Sequence, residues 1–268
     1  MSLRFTILGC GSSGGVPRPA LGWGDCDPKN PKNRRRRTSL LVEQHAAAGV
    51  TRLLVDTSPD LREQLLDAAV DWLDAVLITH EHADHTHGID DLRALFIARR
   101  RRVPIYLDER TSQTMRARFG YCFASPPGSD YPPIVEEHRL AKRQPVTVDG
   151  AGGPIGALPF LQEHGDITSL GFRFGKLAYS CDLNGLPSES MAMLCGLDVW
   201  IIDALRYRSH PSHLSLDESL DWIERIRPRR AILTNLHSDL DYETLRARLP
   251  RHVEPAFDGL MFELSDET

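Results

Sequence analysis

Apolar positions recur along this chain in two rhythms. Alternation with a period of two, or a short unbroken apolar run, marks strands near 3–9, 38–44, 51–56, 74–79 and 104–107. Arg62, Leu65, Leu66 and Ala69 instead repeat at helical spacing, which predicts a helix near 59–69 with Pro59 at its start. Ile89 to Arg100 and Glu109 to Phe119 read as further helices. From residue 133 the texture changes, because 133–139, 145–148, 155–163, 168–174 and 176–180 alternate and are broken by Gly and Pro, as meander strands are. Helices near 187–195, 214–226 and 241–248 then separate strands near 198–203, 230–234 and 258–263. Two β-rich halves with helices outside predict an α+β fold, a four-layer αββα sandwich. No repeat or linker divides residues 1–268 into more than one domain.

Composition narrows the class. With 268 residues, 41% hydrophobic and 26% charged, the chain can bury a substantial core. Its apolar runs are strand length, far from the ~20 residues that cross a bilayer. The start, Met1-Ser2-Leu3-Arg4-Phe5, lacks a signal-peptide apolar region, so a cytoplasmic protein with no membrane partner is expected. Cys10, Cys26, Cys122, Cys181 and Cys195 are scattered, odd in number and without a Cys-x-x-Cys pair, which argues against a disulfide framework.

The chemistry concentrates in one place. His80, His82, Asp84 and His85 follow the apolar run Ala75–Thr79 at positions i, i+2, i+4 and i+5. A single histidine is more simply read as a solvated loop residue, but four imidazole and carboxylate donors in six residues point to a metal site. His80 and His82 share one side of an extended turn, whereas Asp84 and His85 lie beyond its bend and can face a second ion. Further donors end later apolar runs: His164 after Leu161-Gln162-Glu163, Asp182 after Tyr179-Ser180-Cys181, and His237 after Thr234-Asn235-Leu236.

This succession resembles the His-x-His-x-Asp-His signature and downstream elements of the metallo-β-lactamase superfamily, over residues 5 to 263. The resemblance implies two divalent ions, zinc or alternatively manganese. His80, His82 and His164 would hold one ion, Asp84, His85 and His237 the other, and Asp182 would bridge them. Asp84 also counts among the catalytic residues. Asp56, in Leu53-Leu54-Val55-Asp56-Thr57, matches the early aspartate that orients a ligand histidine. Neighbouring residues of a strand face opposite ways, so only one of Cys181 and Asp182 is expected to reach the metals, and Asp182 is favoured because a carboxylate can bridge two cations.

The segment from Cys10 to Arg37 is too rich in Gly and Pro for a core element and resembles the N-terminal loop of the superfamily's phosphodiesterase branch. Some members of that branch bind a structural zinc here through several cysteines and a later histidine. This chain has only Cys26, with Leu240 at the second position, so no structural zinc is expected. The region from Leu197 to Ser215 resembles that in which ribonuclease Z-like enzymes keep a carboxylate and a histidine for leaving-group protonation. Asp203 and His213 are the candidates, with His210 next; alternatively, His213 merely neighbours the start of the 214–226 helix.

Two divalent ions, two carboxylates and one hydroxide leave a centre of about +1, opposite to the chain's formal charge of −5. Arg34–Arg37, Arg99–Arg102, Arg206 and Arg208 would extend that attraction, or else are ordinary surface arginines. The expected function is phosphodiesterase action on a small or cyclic, nucleotide-like phosphodiester through metal-bound hydroxide. A thioesterase or lactonase, or a non-catalytic metal- or nucleotide-binding module, are the alternatives. Transfer RNA is disfavoured, since only seventeen residues separate His164 from Asp182, leaving no room for an RNA-gripping arm. A homodimer is compatible with the sequence.

Overall fold

The computed structural model describes residues 2–265. Six strands come first: β1 (Ser2–Gly9), β2 (Ser39–Ala46), β3 (Gly49–Val55), β4 (Ala75–Leu77), β5 (Val103–Leu107) and β6 (Val135–Arg139). Seven follow: β7 (Val146–Val148), β8 (Ile155–His164), β9 (Ile167–Phe174), β10 (Leu177–Ser180), β11 (Val199–Asp203), β12 (Arg230–Thr234) and β13 (Val253–Pro255). The last, β14 (Leu260–Ser265), returns to β1, giving one sheet in the order β14-β1-β2-β3-β4-β5-β6 and another in the order β13-β12-β11-β10-β9-β8-β7.

Period-two alternation builds the layers. Leu40, Val42, Leu53 and Val55 of the first sheet meet Phe172, Tyr179, Ile201 and Ile232 of the second in a shared core. The intervening residues point outward, yet are buried as well. Leu41, Leu54 and Val76 pack under α1 (Leu61–Asp67), while α2 (Ala83–Thr86) is the short turn of the histidine motif. The same outer layer contains α3 (Leu92–Arg99) and α4 (Glu109–Phe123). Across the molecule, α5 (Ser188–Met191) precedes α6 (Leu216–Ile226) and α7 (Tyr242–Arg248), and the last two cover Trp200, Ile202 and Leu233. Strands buried on both faces and helices on the two outer sides make the αββα sandwich. Among the described residues, no helix is long and apolar enough to cross a membrane.

Most departures from the sequence reading are at element ends. The helix expected near 187–195 is one α-turn followed by a 3-10 turn, Ala192–Leu194. Strand β13 gives no alternating signal because it has only three residues, one of them Pro255. His164 is followed by a tight turn directly into β9, so the stretch up to Asp182 is almost entirely strand.

Parallel pairing sets the site. Strands β3 to β6 pair in parallel, as do β10 to β13, and the loops after β4, β10 and β12 deliver His80, Asp182 and His237 to one edge of the sandwich. The Cys10–Arg37 segment closes that edge. Gly11 N–H donates to the Arg36 carbonyl at 2.7 Å, and Leu236 N–H to the Cys10 carbonyl at 2.8 Å. A Cβ on Gly11 would lie 2.9 Å from that of Arg35, so the close approach requires glycine there.

Candidate metal centre

His80, His82, His164 and Asp182 each bring one donor atom within 4.8 Å of the others, and Asp84, His85 and Asp182 do the same. In the first group His82 Nδ1 is 3.2 Å from His164 Nε2, and Asp182 Oδ2 is 3.6 Å from His164 Nε2 and 3.8 Å from His80 Nε2. Ligands at ordinary zinc distances sit about 3.3–3.6 Å apart around a tetrahedron, and the separations of 3.2, 3.6 and 3.8 Å bracket that spacing. In the second group His85 Nε2 lies 3.2 Å from Asp182 Oδ1 and 3.4 Å from Asp84 Oδ2. Asp182 therefore offers one oxygen to each group.

Two orphaned atoms make the fit to divalent cations specific. The Nε2 atoms of His80 and His85 are buried and make no hydrogen bond. For His85 this holds with carboxylate oxygens of Asp182 and Asp84 only 3.2 and 3.4 Å away. A buried polar atom without a partner is costly, and a mixed imidazole and carboxylate set is what such cations accept.

The other ring nitrogens are anchored, as metal-binding histidines usually are. Nδ1 of His85 is 2.7 Å from Asp56 Oδ2, and Nδ1 of His80 is 3.0 Å from Thr79 Oγ1. Asp56 also accepts from the Thr79 N–H and hydroxyl, so one carboxylate braces both rings. It does so from a left-handed backbone (φ 66°), a conformation that aspartate tolerates better than most residues. His164 Nδ1 donates to the Ser212 carbonyl at 2.6 Å, and His237 Nδ1 is 3.1 Å from Asp239 Oδ1. His82 alone turns Nδ1 toward the centre. His237 stands outside both convergent groups, on the half-exposed rim.

Cys181 and Asp182 occupy different sides of His85. The thiol is 4.0 Å from Asp56 Oδ2, on the anchoring side, whereas Asp182 faces Nε2. His213 and Asp203 are also brought together, with His213 Nδ1 2.8 Å from Asp203 Oδ2 and its Nε2 3.7 Å from Asp182 Oδ2. The α6 cap is Ser215, in a reciprocal capping box with Glu218, so His213 has no capping duty. His210 Nδ1 instead faces Ser212.

Sequence reading missed Asp239, Asn235 and the Ser212 carbonyl. Asp239 is two residues beyond a donor histidine, a signal that was available. Asn235 donates to Asp182 Oδ1 at 3.3 Å from a left-handed backbone, and a backbone carbonyl leaves no trace in side-chain identity.

Several members of the arginine runs are engaged away from the donor edge. Arg36 pairs with Asp67, Arg37 with Asp60 and Arg99 with Asp71, and Arg101 lies over the Trp72 ring. Arg35 is buried; its guanidinium bonds the carbonyls of His237 and Leu240 at 3.1 and 2.7 Å and lies 3.8 Å from Cys26 Sγ. It ties the glycine-rich loop to the segment after His237.

Electrostatics match this geometry. Burial, then the charge of His85, pushes His80 well below the ordinary imidazole range, keeping it neutral and able to donate a lone pair. Burial acts the same way on His85, but Asp182, Asp84 and Asp56 outweigh it and hold that imidazole well above its ordinary value. His85 is therefore protonated at pH 7 in the metal-free protein, and a cation must displace its proton. Metal uptake should release about one proton from this residue, and affinity should fall as pH falls. Calorimetry in two buffers of different protonation enthalpy measures this. Uptake with no proton released would contradict it.

A sandwich of this layering with such a donor edge defines a class of metal-binding hydrolase folds. Residues 51–235 match the family described as the beta-lactamase superfamily domain, and the chain belongs to that family. With 35% identity and a TM-score of 0.88, over 98% of both chains, it is similar to the crystal structure of a new diphosphatase from the PhnP family. Zn(2+)-bound PqqB from Methylobacterium extorquens shares the fold, with 17% identity and a TM-score of 0.73 over 97% of this chain and all of that one. An octanoyltransferase of Porphyromonas gingivalis (strain ATCC BAA-308 / W83) is 34% identical over 263 residues, 96% of this chain. The chain spans about half (51%) of that relative's length.

Proposed function

We propose that the protein is a dinuclear, zinc- or manganese-dependent phosphodiesterase that hydrolyses a small, nucleotide-like phosphodiester or diphosphate. One observation carries this reading: His213, fixed on Asp203, stands with a free ring nitrogen 3.7 Å from the carboxylate that joins both donor groups. The similarity to a diphosphatase over the whole chain supports it.

His80, His82 and His164 would hold one cation, Asp84, His85 and His237 the second, and Asp182 would lie between them. Bound there, divalent cations supply Lewis acidity and a water made acidic enough to attack at neutral pH. Asp56 holds His85 by its Nδ1, and Asp239 would do the same for His237. Asp84, ionised and partly exposed, accepts the proton of the attacking water. Burial raises Asp203 to about 7, opposed by His213. Burial also opposes the His213 imidazolium, but Asp203 and then Asp182 lift it to about 9. The pair thus carries its proton on the imidazole, and His213 Nε2 gives that proton to the departing oxygen. The tight turn after His164 leaves the edge open to small molecules, and a net charge of −5 disfavours a large polyanion.

The test is a substrate panel on metal-analysed protein: bis-p-nitrophenyl phosphate, 2′,3′-cyclic nucleotides, a dinucleoside diphosphate, a thioester and a lactone. Turnover should be confined to the phosphorus esters and anhydrides. Hydrolysis of the acyl substrates alone would replace this reading with a thioesterase or lactonase.

A further inference from the structure

Arg18, at this edge, has neither an acid nor the carbonyl acceptors that hold the buried Arg35. Ser12 N–H donates to the Leu236 carbonyl at 3.3 Å, which sets Ser12 against the residue preceding His237. Arg18 Nη2 donates to Ser12 Oγ at 3.1 Å, and two backbone hydrogen bonds of 2.8 Å with Gly22 fix the arginine in its turn. A Cβ on Gly14 would come within 2.5 Å of Arg18 Nε, so the glycine leaves room for the guanidinium. That Nε is buried and has no hydrogen-bond partner.

Arg36, Arg37 and Arg99 each sit on a carboxylate, whereas among the described residues Arg18 forms no ion pair. The carboxylate that acts on it through space is Asp239, which His237 Nδ1 and the Tyr207 N–H already engage. A partly buried cation held only by a serine hydroxyl is an incomplete arrangement, because a desolvated guanidinium is offset by an acid or, as at Arg35, by several carbonyl acceptors. Its planar fork of donors suits a phosphate, which can take two of them at once.

We propose that Arg18 is a specificity residue that holds an anionic group of the substrate other than the phosphate being cleaved. The preferred substrate is then a small nucleotide-like molecule with a second phosphate. This rests on the phosphodiesterase reading above.

The experiment compares two chromogenic esters with the same scissile bond, thymidine 5′-(p-nitrophenyl phosphate) and its 3′-phosphorylated form, on metal-loaded wild type, Arg18→Gln and Arg18→Lys. In Arg18→Gln, KM for the 3′-phosphorylated ester should rise on the order of 10- to 100-fold, with kcat within about twofold. KM for the plain ester should move by less than about twofold, and Arg18→Lys should recover part of the loss. Equal losses on both esters, or none on either, would overturn the proposal.

Calorimetry with thymidine 3′,5′-bisphosphate and thymidine 5′-monophosphate measures the same preference without turnover. Wild type should favour the bisphosphate and Arg18→Gln should lose that preference; no preference in wild type counts against Arg18. If wild type turned over neither ester, the phosphodiesterase reading would fail, and calorimetry would still decide the role of Arg18.

Discussion

His213→Ala is expected to lower turnover of an alkyl phosphodiester by about 10²- to 10⁴-fold, roughly 3–5 kcal/mol of barrier, with metal content unchanged. The size follows from the leaving group. An alkoxide is a strong base and needs a proton as the bond breaks, whereas p-nitrophenolate departs almost unaided. The variant should therefore lose far less on p-nitrophenyl esters, and equal losses on both would remove His213 from the role of acid. Charge gives a second readout. In the metal-free protein Asp203 and Asp182 overcome burial and lift His213 to about 9. In the loaded site nearby positive charge lowers that value, so kcat in wild type should decline on an alkaline limb below pH 9. The acid form is the protonated one, present below its pKa and lost above it, so His213→Ala should lack that limb.

Asp182→Asn should have the broadest effect of any single change at the donor edge. Its two oxygens serve different groups, Oδ2 facing His80 and His164, and Oδ1 facing His85. An amide keeps the shape but removes the negative charge and one acceptor. Burial works against ionisation of Asp182, yet His85 and His213 hold it well below the usual carboxylate range, so the charge is present at every working pH. Its loss should release both ions and reduce activity by at least about 10³-fold, since the ions supply several kcal/mol of transition-state stabilisation. Elemental analysis reads the metal content directly. Chelation of wild type should also lower Tm by roughly 5–10 °C, the linkage expected for ligands bound well above their dissociation constants. Asp182→Asn should start near the chelated value and not respond. A variant that kept both ions and full activity would rule out Asp182 as the shared ligand.

The site was unevenly legible in the sequence. His80, His82, Asp84 and His85 are close in sequence because one turn presents them, so spacing alone announced them. His164, Asp182 and His237 showed as donors at the ends of apolar runs, a weaker signal that gained force only in combination. Asp203 and His213 are ten residues apart and depend on a loop folding back after β11. Asp239 follows His237 so closely that it was available but unread, and the Ser212 carbonyl was beyond reach because every residue has one. The arginine runs stayed ambiguous for the converse reason. Clustered positive charge is visible in a sequence, but Asp60, Asp67 and Asp71, which take up much of it, are distant in the chain.

The sequence by itself determined the layering, because period-two and period-3.6 patterns record which face of each element must leave water. It also determined the donor chemistry, because only certain side chains bind divalent cations. The tertiary structure alone decided which oxygen of Asp182 serves which group, which ring nitrogen of each histidine is held back, and which arginines find an acid. Those are matters of direction over a few ångströms between residues far apart in the chain, and they are settled only when two sheets pack and their loops meet at one edge.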